Sequence, residues 1–181
     1  MKPIAQTFLV SQPDTGIDGI FLTKISVYFK RVSSVFGISM EIRTVENGFP
    51  TANVIAGGRS RLNASIVTAS DTATIATDFE FPLLPFLQSN VQYAMVLIPD
   101  GGNDEYLVWT AKLGGTDVAA SKTEIYTNNQ LGNLFLSSND LVFTPIIDEN
   151  MKYDLYIASF TSTNASVYFR PAPTDFIKID S

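Results

Sequence analysis

Apolar and polar residues alternate at period two from one end of this chain to the other, and no stretch sustains the helical period of about 3.6. Period two sends successive side chains to opposite faces, so such a chain folds as strands with one face on a core. In Ile25-Ser26-Val27-Tyr28-Phe29-Lys30, the residues Ile25, Val27 and Phe29 share the inward face. In Ile38-Ser39-Met40-Glu41-Ile42-Arg43 the inward set is Ile38, Met40 and Ile42, which leaves Glu41 and Arg43 for solvent. Phe79 and Phe81 alternate with outward Asp78 and Glu80 until Pro82 and Pro85 break the pattern. Tyr93-Ala94-Met95-Val96-Leu97-Ile98 is apolar on both faces and too short for a buried helix, which predicts a central strand. Late strands are expected at Tyr153–Ile157 and Val167–Phe169.

Turn signals divide these segments. Asn47-Gly48-Phe49-Pro50 ends a strand, because Asn-Gly accepts positive φ and proline cannot continue a central ladder. Asp100-Gly101-Gly102-Asn103-Asp104 is a turn, and with Tyr106–Thr110 resuming the alternation it predicts a hairpin between that segment and Tyr93–Ile98. Residues 114–132 are polar and weakly patterned, a long loop with room for a short strand around Ile125. Arg170-Pro171-Ala172-Pro173 marks an exit. Strands spaced roughly a dozen residues apart, with turns between, predict an all-β, jelly-roll-like antiparallel sandwich. A single domain over 1–170 and a C-terminal exit segment or linker over 171–181 follow.

Composition removes most chemistry. A chain of 181 residues that is 45% hydrophobic can bury one substantial core. A net charge of −6, with Lys30-Arg31 as the sole adjacent basic pair, argues against a nucleic-acid partner, whose phosphates need clustered cations. With no Cys there is neither a disulfide framework nor a thiolate metal site. With no His the usual general base and zinc ligand are missing, which disposes of Ser-His-Asp, Cys-His and HExxH arrangements together. The opening Met-Lys-Pro-Ile-Ala-Gln has no signal-peptide pattern, and no apolar run approaches the ~18 residues of a membrane helix, so no membrane insertion is expected. The sequons at Asn63 and Asn164 read as ordinary loop or strand-edge residues.

Four kinds of site are open to what is left. Paired carboxylates could hydrolyse a glycosidic bond, but Glu41, Asp78 and Glu80 fall at outward strand positions, and no enzyme activity is expected. The turn at 100–105 offers Asp100, Asn103 and Asp104 as oxygen ligands for a structural calcium, without EF-hand spacing, and a plain hairpin turn is the competing reading. A glycan would stack on an exposed ring, for which Trp109, Tyr106 and Tyr126 with Asn103 are the candidates, against an inter-sheet or core role for Trp109. Exposed strand edges and the 114–132 loop offer surfaces for pairing with other subunits.

A series of segments in unbroken order resembles a domain of large tailed-bacteriophage structural proteins. It runs from Pro3-Ile4-Ala5-Gln6-Thr7-Phe8 and Gly19-Ile20-Phe21-Leu22-Thr23-Lys24-Ile25 through Val27–Lys30, Glu41–Pro50 and Tyr93–Leu97. It continues with Val108-Trp109, Leu131–Phe135, Ser138-Asn139, Thr144-Pro145 and Lys152–Tyr156, and so covers nearly the whole chain. At Lys112-Leu113-Gly114 the chain departs from the Arg-Met-Gly usual in the family. The resemblance implies a virion location in a tail, baseplate or neck, on a carbohydrate-binding-module-like sandwich. It implies a structural or binding role in particle assembly or host-surface attachment, with other virion proteins, copies of itself or a host surface glycan as partners. The alternative it leaves open is a carbohydrate-binding module recognising host glycans.

Overall fold

The computed structural model describes residues 2–11, 18–102, 105–116 and 132–160. Among these residues there are thirteen strands, no α-helix and two short 3-10 turns. The strands are β1 (Ile4–Leu9), β2 (Gly19–Arg31), β3 (Ile38–Glu46), β4 (Phe49–Leu62), β5 (Ala76–Glu80), β6 (Phe86–Gln88) and β7 (Gln92–Pro99). They continue with β8 (Leu107–Val108), β9 (Thr110–Lys112), β10 (Leu134–Ser137), β11 (Phe143–Ile146), β12 (Glu149–Met151) and β13 (Tyr153–Ile157).

The fold is an antiparallel β-sandwich. One sheet has six strands in the order β11-β10-β1-β7-β3-β4; the other is built around β2, with β13 and β8 along one edge and β5 and β6 along the other, and β9 and β12 form a separate pair. The alternation in the sequence explains the core between them. Ile4, Phe8, Ile38, Met40, Ile42, Met95 and Leu97 from the first sheet join Leu22, Ile25, Val27, Phe29, Phe79 and Leu87 from the second in a single buried cluster. At about 1.5–3 kcal/mol for each large apolar side chain fully removed from water, this cluster supplies the main driving force for folding. On β2 the inward positions Leu22 and Ile25 are three residues apart, because a bulge opposite Tyr156/Ile157 adds a residue and restores the phase.

Gln6 is one of the polar side chains buried inside, along with others such as Thr77. It is fully buried on β1, and its amide bridges to β12: Nε2 donates to Asn150 Oδ1 at 2.9 Å and Oε1 accepts the Met151 N–H at 2.9 Å. The close approach of the 132–133 backbone to β1 explains a glycine, since a Cβ on Gly132 would lie 1.8 Å from the Thr7 carbonyl oxygen. Asn47 and Gly48 take φ of 52° and 82° in the β3–β4 turn, and Pro50 lies in edge strand β4, as the turn chemistry requires.

Two expectations are corrected. Tyr93–Ile98 is a central strand, but it does not pair with Tyr106–Thr110: β7 lies between β1 and β3, whereas β8 pairs with β2 in the other sheet. The chain therefore leaves the first sheet after β7 and joins the second at β8, and burial of Tyr106 beside Phe29 in the core favours that change of sheet. Glu41 and Arg43 do point away from the main core, yet they are not in solvent, at 9% and 4% exposure. The outer face of the six-stranded sheet carries a second apolar cluster of Ala5, Ala94, Val96, Phe135 and Phe143. The β10–β11 turn reaches over this face, so that Arg43 Nη2 meets Asp140 Oδ2 at 2.8 Å and Glu41 Oε2 at 2.5 Å. A ring contact of 5.7 Å between Phe49 and Phe135, from strands well apart in that sheet, closes the same face.

Candidate functional site

With one outer face filled, the other becomes the place to look for recognition. Along β2 the outward positions are Lys24, Ser26, Tyr28 and Lys30, and antiparallel register sets Tyr156 and Glu80 beside Lys24, and Asp154 and Asp78 beside Ser26. Same-face neighbours in adjacent strands lie about 5 Å apart, so these side chains form one continuous surface. Tyr156 is 43% exposed, Tyr28 is half-buried, and Lys30, Glu80, Lys152 and Asp154 are exposed.

Trp109 joins this surface through the backbone. Its N–H donates to the Tyr28 carbonyl on one edge of β2, while the Ser70 N–H donates to the Phe29 carbonyl on the other edge. The indole Nε1–H donates to the Ser70 carbonyl at 2.8 Å, so the side chain crosses the outer side of β2. Each of the three rings carries an ammonium: Lys24 Nζ is 4.4 Å from the Tyr156 centroid, Lys152 Nζ 4.4 Å from Tyr28 and Lys30 Nζ 5.2 Å from Trp109.

The polar groups are held in fixed pairs. Asp78 accepts from Lys24 Nζ at 2.6 Å and from the Ser26 hydroxyl at 2.5 Å. These two donors hold its carboxyl below the usual carboxylate range, outweighing the opposing effect of burial. The Tyr28 hydroxyl donates to Asp154 Oδ2 at 2.6 Å, and that bond, helped by burial, pushes its pKa up to about 12. Lys152 Nζ also donates to the Ala73 carbonyl at 2.8 Å. Asp78 and Asp154 flank Ser26 from opposite sides, two strand spacings or about 10 Å apart. A glycoside hydrolase needs one of two such carboxyls protonated as its acid, and the depressed pKa of Asp78 does not suit Asp78 to that role. The arrangement presents rings to which apolar faces can stack and charged acceptors and donors that hydroxyls can meet.

The predicted site residues separate. Trp109 lies on this face, whereas Tyr106 is fully buried, its ring 5.7 Å from Phe29 and its hydroxyl donating to the Phe36 carbonyl, so it cannot serve as a glycan platform. Burial raises its pKa as well. Asp100 sits in a 3-10 turn with Oδ2 2.6 Å from Arg61 Nη2, a pairing that competes with a cation. Among the described residues no group of three or more potential metal ligands comes together. Asn103, Asp104 and Tyr126 lie outside the described residues, as do Ile125, Val167–Phe169 and the 171–181 segment. Residues 117–131 of the expected loop lie outside them too.

Sequence reasoning missed Tyr28, Tyr156, Asp154 and the three lysines as a group. The signal was present in the outward half of the alternation, Lys24-Ser26-Tyr28-Lys30 and Lys152-Asp154-Tyr156, where rings and charges share one parity. Elsewhere, an open depression of about 590 Å³ is lined by Val54, Ile55, Gly57, Gly58, Arg59, Pro82 and Leu83. Its one charged group, Arg59, is 3.0 Å from Glu41 Oε1. Comparisons with protein-family models, with curated proteins and with solved structures return no match to this chain.

Proposed function

We propose that this chain is a structural and binding module of a tailed-phage virion, in its tail, baseplate or neck, that acts in host-surface attachment or particle assembly on a jelly-roll-like sandwich. It works by binding and not by reaction. The observation that carries the binding role is the outer face of the β2-centred sheet, where Tyr28, Tyr156 and Trp109 are displayed among tethered charges. The virion location rests on the ordered run of similar segments from Pro3 to Tyr156. The alternative, a carbohydrate-binding module recognising host glycans, is favoured by the same three rings.

Assembly with copies of itself or other virion proteins would use side-chain surface more than strand addition. Both edge strands of the six-stranded sheet contain a proline, Pro50 in β4 and Pro145 in β11, which removes a backbone donor from each edge. Leu141, Val142 and Ile147, 66–85% exposed around β11, are the apolar side chains that such contacts would cover.

Immunogold labelling tests the location. Antibody raised against the purified chain should decorate one end of intact particles produced from the genome that encodes it, and should block adsorption to host cells if the module attaches. Particles that lack the chain altogether by peptide mass spectrometry would overturn the virion reading.

A further inference from the structure

We propose that the outer face of the β13-β2-β5 sheet is the binding site of a neutral glycan chain laid along β2. The inference rests on the binding reading above and names the ligand chemistry of the same face.

Three properties select that ligand. The first is shape. Tyr156 sits beside Lys24 and Tyr28 lies four residues further along β2, about 13 Å at the rise of an extended strand, with Trp109 opposite Tyr28 and its indole reaching across to the Ser70 carbonyl. The rings therefore form a row suited to an extended chain rather than a pocket for a single sugar. The second is the polar pattern. Between the two tyrosines lie the carboxylates of half-buried Asp78 and exposed Asp154, on the same side as the rings, and a sugar offers apolar C–H faces to rings and hydroxyls to acceptors. The third is charge. Lys24, Lys30 and Lys152 balance Asp78, Glu80 and Asp154, and the chain as a whole carries −6, so a polyanionic glycan meets no net attraction.

For a sugar to stack, Lys24 and Lys152 must swing off the rings, giving up their cation–π contacts together with the Lys24–Asp78 pair at 2.6 Å and the Lys152 bond to the Ala73 carbonyl at 2.8 Å; at partly exposed positions such contacts are individually weak, and the sugar's stacking and hydroxyls replace them. The Tyr28 hydroxyl stays protonated and bonded to Asp154 throughout the neutral range, so the ring remains neutral for stacking.

The test uses the full chain and defined hexasaccharides of glucose, galactose and N-acetylglucosamine, with a hexuronate as the acidic comparison, in direct titration and on a surface array. At least one neutral series should bind with little dependence on salt. Tyr156→Ala and Tyr28→Ala should each weaken that binding about tenfold, the loss of one stacked ring, while Val35→Ala, at an exposed position off this face, should not. Should Tyr28→Ala fail to fold, Tyr156→Ala and the ring-preserving Tyr28→Phe still decide the matter, the latter retaining most of the affinity. Binding that survives both tyrosine truncations, or that is confined to the hexuronate and falls with salt, would overturn the proposal. A chain that adheres to host cells yet binds none of the neutral series would overturn it too, while leaving the attachment reading intact; failure of both removes both.

Discussion

Replacing Arg43 by methionine keeps the apolar stem but removes the guanidinium that ties the β10–β11 turn to the sheet. Four hydrogen bonds go with it: Nε and Nη2 to Glu41 Oε2, Nη2 to Asp140 Oδ2 and Nη1 to the Asp140 carbonyl. Burial works against the charge of Arg43, but Asp140 and Glu41 offset it and raise its pKa, so the ion is held by its partners. Breaking a buried pair by deleting one member costs about 3–5 kcal/mol, because the other charge is stranded. Here the stranding is incomplete. Glu41 keeps Arg59 at 3.0 Å, and the Asp140 side chain is 35% exposed and can turn to water. The low end, about 3 kcal/mol, is therefore expected, equivalent to a fall in Tm of roughly 6–12 °C for a chain of this size. Urea unfolding should show the midpoint shifted at unchanged slope, and amide exchange should accelerate at 138–146, where the turn is released from the sheet. Adding Glu41→Met should recover part of the loss, since a buried ion pair exchanged for apolar groups is often close to neutral. A loss below about 1 kcal/mol in the single variant, or further destabilisation in the double, would refute the view that this ion network secures the turn.

Three further outcomes follow from the same reasoning. Gln6→Leu should destabilise by about 2–3 kcal/mol in chemical denaturation, because it leaves the Met151 N–H and the Asn150 carboxamide oxygen without their partner. Gly132→Ala should cost at least about 2 kcal/mol, since its Cβ would overlap the Thr7 carbonyl and the β1–β10 ladder must open to admit it; wild-type thermal stability would contradict the close approach. The Asp78 carboxyl is depressed in the folded state, so its contribution to stability is fully present above the ordinary value of 3.8 and is lost as pH falls below that through the depressed folded value. Asp78→Asn should accordingly flatten the stability profile below about pH 4, measured by thermal unfolding across acid pH, and leave its shape near neutrality unchanged.

Much of the architecture was legible because a period of two is a local property. Ile25, Val27 and Phe29, and Ile38, Met40 and Ile42, are inward for the reason their spacing states, and Asn47-Gly48 turns the chain because few residue pairs accept two positive φ values. Alternation assigns a face; it does not say what covers that face. Glu41 and Arg43 have the parity of solvent-facing residues, and they are buried because a turn almost a hundred residues later bends over them. Turn chemistry at Asp100–Gly102 likewise signals a reversal, but a reversal inside one sheet and a crossing between two sheets use the same residues. The pull of Tyr106 into the core decides between them.

The candidate site divides along the same line. That Tyr28 and Tyr156 lie at outward positions, and that a chain without His or Cys cannot build Ser-His-Asp, Cys-His or HExxH sites, are properties of the sequence by itself. That β13 and β5 flank β2 in a register placing Asp154 and Asp78 on either side of Ser26 is a tertiary decision. So is the path of the Trp109 side chain over β2 to the Ser70 carbonyl. The reason is that strand pairing joins segments far apart in sequence, 52 residues from Ser26 to Asp78 and 126 from Tyr28 to Asp154, and the free energy that selects one partner and one register comes from the core and the ladder as a whole, which no local stretch of sequence contains.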